Sequence, residues 1–135
     1  VPKAGQILFH KNFTFSSGEK GKKLVVVLNT CKNDETCLVL KTTSQSKWYS
    51  YATPGCNSCK EVFFILEECD QGFPEDTYVQ LDSIYPVNIE QLLSSRQLSF
   101  VDNLSEICLK NLKKCLRNFK DDIPQQYWAV IYSSK

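Results

Sequence analysis

Gly18-Glu19-Lys20-Gly21-Lys22-Lys23-Leu24-Val25-Val26-Val27-Leu28 runs from a polar, glycine-punctuated stretch into an unbroken apolar segment. Two glycines among lysines oppose regular structure and predict a loop over residues 16–23. The apolar segment is short and rich in β-branched side chains, so it predicts a central strand. A strand of that kind needs neighbours on both sides.

Those neighbours lie close by in the chain. Gln6-Ile7-Leu8-Phe9-His10 predicts a strand before it, and Cys37-Leu38-Val39-Leu40 one after the turn residues Asn33-Asp34-Glu35. Further strands are expected at Glu61–Leu66, Thr77–Leu81 and Leu98–Val101, and a last one at Tyr127–Tyr132. Residues 41–60 read as a polar connection with a Pro54-Gly55 turn. Asn88 caps a short helix carrying Ile89, Leu92 and Leu93. Asn103, with Glu106 three residues on, opens a longer helix. Leu104, Cys108, Leu112, Cys115 and Phe119 share one face of it, and Lys110, Lys113, Lys114 and Arg117 the other. Closely spaced strands with one clear late helix imply a mainly β fold, a small barrel with helical appendages.

The chain has 135 residues, enough for one domain, and its 42% hydrophobic content excludes wholesale disorder. No apolar run approaches the ~20 residues of a membrane span. No apolar signal core precedes the first strand, so the expected location is cytoplasmic. Net charge is +1, but residues 1–60 carry +6 and residues 61–100 carry −7. That gradient suits a protein with one polyanion-facing side.

The lysine-glycine loop can bring backbone N–H groups and cations to a phosphate, yet it lacks the Gly-Lys-Ser/Thr ending of an NTP-binding loop. Lys41-Thr42-Thr43-Ser44-Gln45-Ser46-Lys47-Trp48-Tyr49-Ser50-Tyr51 combines hydroxyls and lysines with aromatic rings. The first two hold a phosphate backbone and the third stacks on unpaired bases, a combination fit for single-stranded RNA.

Gly5–Phe9, the glycine loop, Leu24–Leu28 and Val39–Lys47, in that order, resemble the PemK/MazF toxin family, as do Leu81–Ile84 and residues 103–116. The resemblance covers about residues 4–117, within a single domain spanning 1–135; residues 121–135 form an extension. It implies an SH3-like barrel with a short helix and a C-terminal helix, a homodimer, and an antitoxin protein as partner. The implied activity is metal-independent cleavage of single-stranded RNA by 2′-OH attack, with no cofactor and no membrane association. Carried over, the catalytic residues are Lys23, Thr42 and Glu19, and the RNA-binding residues Lys20, Lys22, Lys41, Thr43, Gln45, Lys47 and Trp48. Lys23 stands where the family has arginine, and Leu24 where it has the following proline. The family's strand aspartate falls at Val79, with Asp82 nearby. These departures leave a second reading, a module that binds RNA or an antitoxin-like peptide without cutting. Gyrase inhibition, found on a related barrel, is disfavoured by the Thr-Thr stretch.

Seven cysteines in a chain without a signal core read as reduced thiols rather than a disulfide framework. Cys56 and Cys59 have half-knuckle spacing, and with Cys31 and Cys37 they form the alternative of a zinc site. Cys108 and Cys115 read as small core residues. His10, the single histidine, follows an apolar strand, and a structural role is expected of it. The aromatic C-terminal segment is expected either at an interface or folded back on its own barrel.

Overall fold

The computed structural model describes residues 3–14, 17–31, 36–69, 71–88, 94 and 96–133. Seven antiparallel strands form one sheet: β1 (Gln6–Thr14), β2 (Lys20–Val27), β3 (Cys37–Thr43), β4 (Gly55–Asn57), β5 (Val62–Ile65), β6 (Thr77–Val87) and β7 (Leu98–Asn103). Their order is β4-β5-β6-β3-β2-β1-β7, so β4 and β7 are the two edges of an open, barrel-like sheet.

Side chains alternate between faces, as the pleat requires. Ile7, Val26, Leu28, Leu38, Leu40, Phe63, Val79 and Leu81 face the helices and build the larger core with Leu112, Leu116, Phe119 and Ile131. Leu8, Val25, Val27, Val39 and Leu98 face the other way and form a second cluster with Phe13, Cys31 and Cys37. The Val25–Leu28 run is thus buried on both faces, and its strand is central in the sheet, as the composition predicts.

Two helices close the first face, α1 (Glu106–Leu116) and α2 (Gln125–Ser133). Ser105, not Asn103, caps α1: its hydroxyl accepts from the Cys108 N–H at 3.1 Å. Asn103 is instead the last residue of β7. The expected apolar stripe holds, with Leu104, Leu112, Cys115 and Phe119 buried and Cys108 half-buried.

Four further local expectations are corrected. Tyr127–Tyr132 belongs to α2, not to a strand. A six-residue apolar run has no period of its own to separate the two. Pro124 decides it, because its carbonyl receives the N–H groups of Tyr127 and Trp128 in the first turn. The segment folds back on α1: Lys113 Nζ donates to the Ile131 carbonyl, and the Tyr132 hydroxyl donates to the Lys113 carbonyl. The glycine-lysine stretch is the second correction. Lys20–Lys23 are strand residues paired to β1, with Gly21 opposite Phe13 and Lys23 opposite His10. Third, residues 41–60 are not all connection, since Gly55–Asn57 forms the edge strand β4. Finally, the cysteines are not all reduced. Cys31 bonds to Cys37 and Cys56 to Cys115, with Cα–Cα separations of 5.6 and 5.5 Å, inside the range a bridge tolerates. Partners 59 residues apart have no signature in spacing. The short helix expected over residues 89–93 lies outside the described residues.

Candidate active site

The β2–β3 ladder stops at the pair Val25–Lys41. Beyond it the backbones no longer pair, and one side-chain bond spans the fork: the Thr42 hydroxyl donates to the Leu24 carbonyl at 2.7 Å. A cavity of about 340 Å³ opens there. Lys22, Lys23 and Leu24 line it from β2, Phe9 from β1, and Thr42 and Thr43 from the end of β3. Ser44 and Gln45 continue the β3 wall, while Pro74, Glu75 and Thr77 close the far side at the start of β6.

Five of the expected site residues therefore meet in one place: Lys22, Lys23, Thr42, Thr43 and Gln45. Lys41 does not line the cavity, and its ammonium lies 5.9 Å from the centre of the Tyr85 ring. It still acts on the site electrostatically. Burial first, and then the charge of Lys41, hold the Lys23 ammonium below its ordinary pKa. Glu19 and Lys20 are exposed where the chain enters β2, and neither lines the cavity. Lys47 sits exposed on the 3-10 turn Ser46–Trp48 and does not line it either. The Trp48 side chain lies outside the described residues.

The carboxylate question has an unexpected answer. Val79 is buried opposite Thr42 and offers no charge. Asp82 belongs to a different cavity of about 180 Å³, which it shares with Glu61 and Asp122. There burial, followed by those two carboxylates, raises the Glu61 pKa. The acid that does line the lysine cavity is Glu75, which sequence reasoning missed. Its backbone is pinned, because the Thr77 hydroxyl donates to the Glu75 carbonyl at 2.8 Å. The only sequence signal was the turn chemistry of Phe73-Pro74-Glu75-Asp76 ahead of a strand, which marks a loop and not a site.

His10 is structural. It is buried against Phe13, edge to face at 5.7 Å, and its Nδ1 accepts from the Asn12 N–H at 3.3 Å. Burial lowers its pKa, and it lies outside the cavity lining. The four cysteines of the zinc alternative are not brought together. Cys31 and Cys37 are bonded in the second cluster, and Cys56 is bonded to Cys115 on the helix side.

Among solved structures, the chain superposes on a MazE-MazF complex from Deinococcus radiodurans with a TM-score of 0.57. The alignment covers 90% of this chain and 97% of that chain, at 18% sequence identity. The fold is MazF-like. At that identity the likeness concerns the fold alone. No family model matches the sequence, and no curated protein does. Among the described residues no helix is long and apolar enough to cross a membrane.

Proposed function

We propose that this chain is a metal-independent endoribonuclease of the toxin type, acting on single-stranded RNA in the cytoplasm. The observation that carries the reading is the convergence of Lys23, Thr42, Thr43 and Gln45 with Glu75 in one cavity at the β2–β3 fork. The MazF-like fold supports it, as does the order of motifs along the chain.

In this reading the hydroxyls and amide of Thr43, Ser44 and Gln45 hold the scissile phosphate. The ribose 2′-oxygen attacks phosphorus while the bond to the 5′-oxygen breaks, leaving a 2′,3′-cyclic phosphate and a free 5′-hydroxyl. Glu75 takes the 2′ proton as general base. Lys23 stabilises the charge that builds on the phosphorane oxygens, and its lowered pKa suits it to pass a proton to the departing 5′-oxygen. Lysine lacks the planar fork of arginine, so it acts here as a point charge. Thr42 has a positioning part, since its hydroxyl proton is committed to the Leu24 carbonyl. Lys22 and the outlying Lys20, Lys41 and Lys47 guide the RNA backbone. A homodimer and an antitoxin protein complete the proposal, both resting on the family resemblance.

A second reading has its own observation. Val79 is apolar and Glu19 stands outside the cavity, so two acids expected of the family are missing from it. On that account the chain binds RNA or an antitoxin-like peptide without cutting. Purified protein incubated with a long unstructured RNA in EDTA separates the two. Fragments ending in cyclic phosphate support the enzyme; salt-sensitive binding without fragments supports the module.

A further inference from the structure

Cys56 is the middle residue of edge strand β4, opposite Phe63, and its disulfide to Cys115 ties that edge to α1. The two sulfurs have unlike surroundings. Cys115 is 2% exposed within the helix-side core, whereas Cys56 is exposed and its Sγ receives the Asn118 amide at 3.6 Å. A third cysteine follows in the chain. Cys59 is a free, exposed thiol on the 3-10 turn Ser58–Lys60 that follows β4 directly. Two cysteines three residues apart have the spacing of redox-active pairs, whose members bond to each other. Cys56 therefore has one partner across the fold and, by chain spacing, a second candidate three residues on.

We propose that Cys56, Cys59 and Cys115 form a thiol–disulfide exchange site in which Cys59 displaces Cys115 from Cys56. The Cys59 thiolate bonds to Cys56 Sγ, and the Cys56–Cys115 bond breaks. Cys115 leaves with the electron pair as a thiolate and takes up a proton equivalent to the one Cys59 gave up. Two thiols and one disulfide stand on each side, so no oxidant or reductant is consumed. In this exchange the sulfur of the exposed residue Cys56 is attacked, and that of the buried residue Cys115 is released. A groove of about 370 Å³ lies alongside the bond, lined by Cys56, Phe63, Asn111, Lys114 and Cys115. Exchange removes the covalent tie beside it. Edge strand and helix are then held by noncovalent packing alone. The other two free cysteines stand elsewhere: Cys69 on a 3-10 turn after β5, and Cys108 half-buried in α1 with its thiol pushed up to about 11 by burial.

The proposal does not depend on the RNA reading, and neither does its test. The full chain, isolated without reductant, is held at mildly alkaline pH, quenched in acid, blocked with N-ethylmaleimide and mapped by mass spectrometry. Besides Cys31–Cys37, two linkages are expected in the wild type, Cys56–Cys115 and Cys56–Cys59, with maleimide appearing on Cys115 as the second grows. Cys59→Ser, an exposed substitution, should lose the second linkage and leave Cys115 protected. Cys115→Ser, treated with oxidised glutathione as the two-electron oxidant, should form Cys56–Cys59 beside Cys31–Cys37. The proposal is overturned if Cys56 in the wild type stays bonded only to Cys115, with Cys59 fully blocked at every time. It is equally overturned if the Cys56–Cys115 bond is absent, or if Cys59 pairs with Cys69 or Cys108 instead.

Discussion

The Thr42 hydroxyl donates to the Leu24 carbonyl across the fork where β2 and β3 part, 2.7 Å away. It does there what a ladder hydrogen bond does further down. It sets the separation between the Lys22–Lys23 wall and the Thr43–Gln45 wall of the cavity. Removing the hydroxyl leaves a carbonyl without this partner at the cavity's base. Thr42→Val should cost about 1–2 kcal/mol in urea unfolding, while Thr42→Ser should recover most of it. If cleavage is observed, Thr42→Val should lower kcat more than it raises KM.

Lys23→Ala should slow RNA cleavage by about 10²–10³-fold, the loss typical of one electrostatic stabiliser. Binding should weaken far less, because Lys20, Lys22, Lys41 and Lys47 remain. The lowered Lys23 pKa also predicts an alkaline limb: activity should fall as pH rises through a value below 10.5. Lys23→Arg keeps its charge above that limb, so its profile should stay flat there. A wild-type rate in Lys23→Ala would remove Lys23 from the mechanism.

Glu75→Gln should reduce cleavage by about 10²-fold or more at unchanged RNA affinity, the usual worth of a general base. Glu19→Gln should change little, since Glu19 stands outside the cavity. The reverse ranking in single-turnover assays would restore the family's loop acid and displace Glu75.

His10 links stability to pH. Its folded pKa is lowered from 6.5 by burial, so the unfolded chain takes up the proton first as pH falls. The contribution is fully present above about 6.5 and is lost as pH drops through the folded value. A denaturant series on wild type and His10→Gln should show the wild type losing more stability across that window. Parallel curves would mean that His10 titrates alike in both states.

Gly72 has φ +85°, and a Cβ there would come within 2.6 Å of Asp102 Cβ on β7. Gly72→Ala should therefore cost more than the ~1–2 kcal/mol of a left-handed residue alone. Thermal unfolding measures it. A neutral result would show that the β5–β6 connection can move away from β7.

By itself the amino-acid order determined the strand core and the main helix. Val25–Leu28 is apolar at every position, so only a place between two buried faces suits it. Leu104, Leu112 and Cys115 repeat at helical spacing, so the helix shows one face to the sheet. The lysines and threonines of the cavity were named from their side-chain chemistry and from motif order along the chain, although Lys22 and Lys23 were read as loop and not as strand. Tertiary structure decided what depends on segments far apart in the chain. Tyr127–Tyr132 became a helix because α1 offered its aromatic rings a surface and Pro124 started the turn. Glu75 entered the cavity because β6 pairs with β3 and brings its own preceding turn to the fork. Cys56 met Cys115 because β4 closes the sheet edge beside α1. Local order carries periodicity and turn chemistry, whereas contact between distant side chains arises only when the whole chain has chosen its pairings.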